Sequence, residues 1–172
     1  TGDSVTAAEL NTLDGKTSVD VEVSTTTVTG TIADLTKVYV TNKANFANLG
    51  TENVTISDTV SAAQANTIAK ATSGDVTAAT VTAATAATLK AALADAKDTD
   101  TLTLTVNGAT ATAADLIALD GKTKGIVTVT ATEVTGSYDN LVTVYDTNKA
   151  NFVLGDENIK ITDSTVTAAK LN

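Results

Sequence analysis

The sequence predicts an α/β fold: a repeat solenoid of strand–short-helix units, with a parallel sheet on one face and helices on the other. Three observations lead there. The chain repeats itself internally, stretches of period-two alternation mark strands, and clear capping signals start short helices between them.

The internal repeat is long. Ala7-Ala8-Glu9-Leu10-Asn11-Thr12-Leu13-Asp14-Gly15-Lys16-Thr17 returns as Ala113-Ala114-Asp115-Leu116-Ile117-Ala118-Leu119-Asp120-Gly121-Lys122-Thr123, at an offset of about 106 residues. Val28-Thr29-Gly30 returns as Val134-Thr135-Gly136, and Asn42-Lys43-Ala44-Asn45-Phe46 as Asn148-Lys149-Ala150-Asn151-Phe152. Glu52-Asn53-Val54-Thr55-Ile56-Ser57-Asp58 returns as Glu157-Asn158-Ile159-Lys160-Ile161-Thr162-Asp163, with one-residue slips near Leu49 and Asp163. Within this long period the chain divides into shorter units at about 19–50, 51–74, 75–100, 101–125 and 126–156, with partial units at both ends. Residues 1–172 thus read as one repeat array, with units in the size range of strand-plus-helix solenoids.

Taken in chain order, the first helix begins at Thr6-Ala7-Ala8-Glu9, a capping box in which the Thr hydroxyl takes the N3 amide and Glu reaches back. Val5 and Leu10 stand at the spacing of a hydrophobic staple, as do Val166 and Leu171. Leu10 and Leu13 lie three apart on one helical face, and Gly15 is placed to stop the helix in a left-handed conformation. A strand follows at 19–24, and Thr31-Ile32-Ala33-Asp34 starts the next helix. The strand at 53–58 leads to a second capping box, Ser61-Ala62-Ala63-Gln64. The unit at 75–100 pairs a strand at 75–81 with an Ala-rich helix carrying Leu89 and Leu93. Thr101-Leu102-Thr103-Leu104-Thr105-Val106 alternates strictly, so one face of a strand at 101–106 is apolar and the other a row of Thr. Thr112-Ala113-Ala114-Asp115 then opens a helix with Leu116 and Leu119 on one face and Gly121 as its stop. Strands at 126–131 and 158–163 complete the series. Helices of this length are marginal alone, so their apolar stripes are expected to pack on the sheet, with Tyr39, Phe46, Tyr145 and Phe152 filling the wider gaps.

The two ends share a phase: Ser4-Val5-Thr6-Ala7-Ala8-Glu9-Leu10-Asn11 matches Thr165-Val166-Thr167-Ala168-Ala169-Lys170-Leu171-Asn172. Neither end reads as a polar capping repeat, and the expectation is an excerpt of a longer array, or copies that stack end to end.

Composition narrows the function classes. The chain holds 37 threonines and 29 alanines, no Cys, Met, Pro, Trp, His or Arg, and a net charge of −9. Without His or Cys there is no imidazole base, thiol nucleophile or zinc site. Strong negative charge without Arg argues against nucleic acid as a partner, and no run of about 18 apolar residues exists to enter a bilayer. No catalytic or cofactor-binding residue is assigned, and the reading is non-enzymatic. The acidic pairs Asp98/Asp100 and Asp156/Glu157 are the calcium candidates, set against solvated turns before strands. Gly15-Lys16-Thr17 and Gly121-Lys122-Thr123 match only the last letters of a phosphate loop, and read as helix ends. A Ser–Lys dyad would have to use Ser18 or Ser73. Thr101, Thr103, Thr105, Thr128 and Thr130 are expected on one sheet face, which opens an ice-binding alternative; Asp20, Glu22 and Lys160 interrupt that ladder. Asn53-Val54-Thr55 is a glycosylation triplet, making surface carbohydrate a candidate partner, and a buried Lys–Asn–acid group would permit an isopeptide staple.

The tract from Thr6 to Thr17, with residues 28–35 and 49–63, resembles repeats of giant cell-surface proteins of marine cyanobacteria, including a swimming-associated one, and more weakly those of phage tail fibres. That resemblance spans most of the chain outside about 75–100. It implies an extracellular, repetitive, non-catalytic surface protein, and supplies no functional residue. The absence of the easily oxidised Met and Cys suits exposure at a cell surface. The expectation is therefore a structural segment of a surface, filament or S-layer-like protein, self-associating end to end or laterally. An adhesin or phage-fibre stalk is the main alternative.

Overall fold

A computed structural model describes residues 3–171. It is a mixed α/β chain in which every strand pairing observed is parallel. Among the described residues no sheet closes into a barrel.

The chain opens with β1 (Ser4–Thr6) and α1 (Ala7–Asp14), then β2 (Val21–Glu22) and β3 (Thr27–Gly30). Helix α2 (Ile32–Thr36) runs on through a π-helical turn at Lys37–Thr41 and a 3₁₀ turn at Lys43–Asn45. Next come β4 (Phe46–Ala47), β5 (Asn53–Ile56), α3 (Ala62–Ala71), β6 (Val76–Ala78) and α4 (Ala86–Ala92). The second half holds β7 (Thr101–Leu102), β8 (Leu104–Val106), β9 (Thr110–Thr112), α5 (Ala113–Asp120), β10 (Val127–Val129) and β11 (Glu133–Gly136). Helix α6 (Tyr138–Val142) again continues through a π-helical turn, Thr143–Thr147, and a 3₁₀ turn, Lys149–Asn151. The chain closes with β12 (Phe152–Val153), β13 (Asn158–Ile161) and α7 (Ala168–Leu171).

The strands form a five-stranded sheet in the order β1-β3-β5-β6-β7, three-stranded sheets β12-β10-β8 and β13-β11-β9, and the pair β2-β4. The parallel pairing is as expected, but it is shared among several short sheets. The stretch 101–106 shows why. It does not form one strand: β7 joins the sheet of β6, β8 joins that of β10, and Thr103 between them donates its N–H to the Ala78 carbonyl at 3.2 Å. The expected strand at 19–24 shortens to Val21–Glu22, while β1, β3, β9 and β11, which lead directly into or towards helices, were not expected.

The helix starts are as the sequence reads. Thr6 and Ser61 form full capping boxes with Glu9 and Gln64. Thr31 and Thr112 accept the N3 amides of Asp34 and Asp115, at 3.2 and 3.1 Å. Thr85 and Ser137 cap α4 and α6 in the same way. The helix ends differ from expectation. Gly15 and Gly121 adopt φ of −70° and −72°, so neither is left-handed. Each N–H is taken up by carbonyls of its own last turn, and the following Lys16 and Lys122 amides close onto Leu13 and Leu119. Asp14 lies at a helix C-terminus, where an acid opposes the macrodipole. Its carboxylate is held instead by the amides of Asn42 and Asn45, each at 2.8 Å, and Asp120 accepts from Asn148 in the same manner.

The core is aliphatic. Helix residues Ala7, Leu10, Ile68, Leu89, Leu116 and Leu119 are buried against strand residues Val28, Val54, Val76, Leu104, Val127 and Val134. Helices α1 to α5 each pack on the helix that follows in sequence. Tyr39, Phe46 and Phe152 are buried and Tyr145 is half-buried. Leu13, expected beside Leu10 on the packed face, is exposed. The staple expected between Val166 and Leu171 lies outside the described side chains.

Side-chain hydrogen bonds tie each pass of the chain to its neighbour across 20 to 31 residues of sequence. The tightest junction is a Thr-x-Gly corner found twice. The Thr72 hydroxyl donates to the Glu52 carbonyl at 2.7 Å and accepts from the Gly74 amide at 3.0 Å. The Thr123 hydroxyl lies 2.9 Å from the Leu102 carbonyl and accepts from the Gly125 amide at 2.7 Å. A Cβ on Gly74 would fall 2.2 Å from the Glu52 carbonyl oxygen, and one on Gly125 2.2 Å from that of Leu102. Both neighbours are backbone and have no room to give. Gly125→Ala is therefore expected to cost about 3 kcal/mol or more through overpacking, read as a drop in the urea midpoint. Gly121→Ala, where a Cβ meets nothing closer than 3.7 Å, is the control.

Candidate functional site: the uncovered faces

The residues nominated for chemistry do not converge. Asp100 is fully buried, and its carboxylate accepts from the Val76 amide at 2.8 Å and the Lys97 amide at 2.9 Å; Asp98 is exposed. Asp156 is exposed, whereas Glu157 accepts from the Tyr145 hydroxyl and the Gly155 amide, each at 2.8 Å. Among the described residues no three acidic side chains gather to hold a metal ion. The Ser73 hydroxyl donates to the Gly50 carbonyl at 3.3 Å, and Lys97 Nζ binds the Ser73 and Gly74 carbonyls rather than that hydroxyl. Ser18 is exposed. Asn53, the glycosylation candidate, is exposed on β5 and accepts from the Asp75 amide at 2.9 Å. Among the described residues no lysine is buried, so the surroundings an isopeptide staple requires are not formed by them.

The threonines do form a ladder, though a different one. Thr6, Thr29, Thr55, Thr77 and Thr101 are successive register partners across the five-stranded sheet. Asp20 and Glu22 do not interrupt it, because β2 belongs to another sheet. Of the expected row, Thr105 and Thr128 are partners and Thr101 belongs to this ladder. Lys160 does interrupt a neighbouring row, where it follows Thr112 and Thr135.

One carboxylate is deeply placed. Glu52 is 2% exposed and accepts from the Tyr39 hydroxyl at 3.1 Å and the Gly50 amide at 2.8 Å. Burial, then the adjacent Glu52 charge, pushes the Tyr39 phenol above its ordinary range. Tyr145 is pushed up likewise, by burial and its bond to Glu157. Nothing in the local sequence marks these pairs beyond their recurrence in both copies.

Exposed large apolar side chains include Leu13, Ile159 and Ile161 near the two ends of the strand series, with Val40, Ile126 and Val153 elsewhere. Leu13 is 52% exposed, while its repeat counterpart Leu119 is 0% exposed. Ile159 is 54% exposed, while its counterpart Val54 is 1% exposed. Ile161 and Ile56 differ in the same sense. The covered copies show what does the covering: Lys122 Nζ binds the Ala94 carbonyl at 2.8 Å and Thr123 binds at Asp100 and Leu102, whereas Lys16 and Thr17 are exposed. Near β13, Tyr138, Leu141, Tyr145, Ile159 and Ile161 line a shallow apolar groove. Isolated exposed leucines are ordinary, but Leu13, Ile159 and Ile161 differ in that the matching residue of the other copy is buried.

Comparison with known proteins finds no matching family model, no curated relative and no similar solved structure. Among the described residues no helix is long and apolar enough to cross a membrane.

The raised phenols have a measurable consequence. A group whose folded pKa lies above its unfolded value gives stability that is complete below the unfolded pKa, here about 10, and is lost as pH rises through the folded value. Tyrosinate absorbance from Tyr39 and Tyr145 should therefore appear together with alkaline unfolding. Tyr39→Phe should remove part of that alkaline loss while costing about 1–3 kcal/mol at neutral pH, because the buried Glu52 carboxylate loses a donor.

Proposed function

We propose that this chain is a structural segment of an extracellular surface, filament or sheath protein, built as a solenoid and assembling by repeat-on-repeat stacking. Units at about 19–50, 51–74, 75–100, 101–125 and 126–156 would be the successive coils. The observation that carries this reading is the contrast between equivalent positions, buried inside the chain and exposed at Leu13, Ile159 and Ile161. In a solenoid each repeat buries its apolar sides against its neighbours, so the end coils leave surfaces that another coil fits.

Three further features support the reading. Cross-pass hydrogen bonds recur at equivalent positions: Ile32 donates its N–H to Asp58 at 2.8 Å and Tyr138 to Asp163 at 2.6 Å. The net charge of −9 keeps an otherwise Thr- and Ala-rich surface hydrated. The sequence likeness to cyanobacterial surface repeats points to the cell exterior and to a mechanical rather than catalytic task. The same likeness admits a stalk that carries a binding tip elsewhere.

The Thr6–Thr29–Thr55–Thr77–Thr101 ladder favours one second reading, the ordering of water or ice. Its neighbouring row, Ser4, Thr27 and Asn53, is mixed, so the regular array is one threonine wide. Negative-stain images of concentrated protein separate the readings. The stacking function predicts rods or filaments many times the length of one 17.3 kDa chain, with no thermal hysteresis on cooling. Isolated particles together with hysteresis would replace it with the ice-binding one.

A further inference from the structure

We propose that Asn107 is a site of spontaneous covalent modification, where the Gly108 amide attacks the Asn107 side chain and converts the corner between β8 and β9 to isoaspartate. The inference is independent of the stacking reading above.

Three pairs in the chain set Asn or Asp before glycine: Asp14-Gly15, Asp120-Gly121 and Asn107-Gly108. A glycine in the second place leaves its amide unshielded and the link free to rotate. The reaction also needs that amide nitrogen, and the side-chain carbon it attacks, to be free of other engagements. In the two Asp pairs they are not. Gly15 and Gly121 donate their N–H groups to the carbonyls of Asn11 and Ile117, each at 3.2 Å. The Asp14 carboxylate accepts from Asn42 and Asn45, and that of Asp120 from Asn148.

Asn107-Gly108 differs on every point. Both residues are exposed, in the short link at 107–109 between β8 and β9. Among the described residues, neither the Asn107 side chain nor the Gly108 N–H has a hydrogen-bond partner. Gly108 stands at φ +105°, which suits glycine alone, whereas Asn107 has no positive φ and its side chain is not required by the turn. The first copy of the repeat has Thr1-Gly2 at the matching positions, so the repeat keeps the glycine and not the asparagine.

The chemistry needs only water. The Gly108 nitrogen bonds to Asn107 Cγ, the Cγ–Nδ2 bond breaks, and ammonia leaves with the amide proton. The product is a cyclic imide, favoured because nucleophile and electrophile are held in adjacent residues. Water then adds to one imide carbonyl. Opening at the Cγ–N bond gives aspartate on an ordinary main chain. Opening at the other C–N bond routes the main chain through Cγ and gives isoaspartate. One water is consumed, one ammonia is released, and nothing is oxidised or reduced.

The corner is held on both sides of this link. The Asn107 N–H donates to the Ala84 carbonyl at 3.0 Å, and the Ala109 carbonyl accepts from the Glu133 amide at 3.0 Å and the Thr132 hydroxyl at 2.7 Å. Isoaspartate puts an extra main-chain carbon between these two anchors, so both cannot keep their geometry. It also adds a carboxylate to a chain whose net charge is already −9.

Incubating the folded full chain at mildly alkaline pH, then cleaving at lysine, tests this. The peptide 98–122 contains Asn107 as its one asparagine and Asp120-Gly121 as an internal control. Asn107 should convert from amide to acid at least about tenfold faster than any other asparagine. The product should be a mixture of isoaspartate and aspartate, separable by fragmentation, with Asp120 unchanged. The folded rate should lie within about threefold of the rate in urea, because nothing in the fold restrains the pair. Asn107→Gln should abolish the conversion, since the longer side chain closes the ring poorly. In the converted chain the Asn107 and Glu133 amides should lose hydrogen-exchange protection. Conversion no faster than at other asparagines overturns the proposal. So does aspartate without isoaspartate, which marks direct hydrolysis, or a folded rate slower than in urea by more than threefold. Unchanged protection at Asn107 and Glu133 in the isoaspartate form overturns the proposed effect on the corner.

Discussion

A strand can pair in parallel only after the chain has travelled away and returned, and here the return is fixed by a threonine hydroxyl set against the backbone of the pass beneath. Thr72 and Thr123 each bond a carbonyl of the preceding pass and also an amide two residues on. The hydroxyl supplies one donor and two acceptor sites, enough to satisfy backbone groups that a corner would otherwise leave unpaired. Glycine two residues later lets the backbones touch. With that contact made, Val76 lies opposite Val54 and Val127 opposite Leu104, and the register of the following strands is set.

From that junction outward the structure is one of small, repeated gains. The helices are short, so packing rather than propensity holds them, and alanine at Ala7, Ala62, Ala86 and Ala113 lets them lie close to the strands. Polar ties recur from pass to pass: Asn42 and Asn148 on the terminal aspartates of α1 and α5, Asp58 and Asp163 on the first amides of α2 and α6. Where the repeat substitutes a residue, the local chemistry changes with it. Lys160 in place of Thr55 and Val19 in place of Gly125 are both exposed.

The repeat, the capping residues and the parallel α/β character were legible because each rests on local spacing. The first helix could be placed from Thr6 and Glu9 alone. The strands were less legible. Thr27–Gly30 and Thr110–Thr112 are too short and too polar to show alternation, and the perfect alternation of 101–106 concealed a change of sheet at Thr103, which no local pattern records. Gly15 departs from the left-handed stop expected of a glycine after a helix because here the last turn closes on itself. Leu13 and Leu119 are the same residue in the same motif, and only their neighbours distinguish exposed from buried. The exposure of Leu13, Ile159 and Ile161 therefore has no local sequence signal.

Amide hydrogen exchange under native conditions tests the proposed stacking most directly. If each coil is held only by its neighbours, opening free energies are highest for strand amides near the middle of the chain, around β6, β8 and β9, and fall stepwise towards β1 and β13. A single opening free energy shared by all protected amides, from Val5 to Ile161, would show one cooperative core and contradict the account.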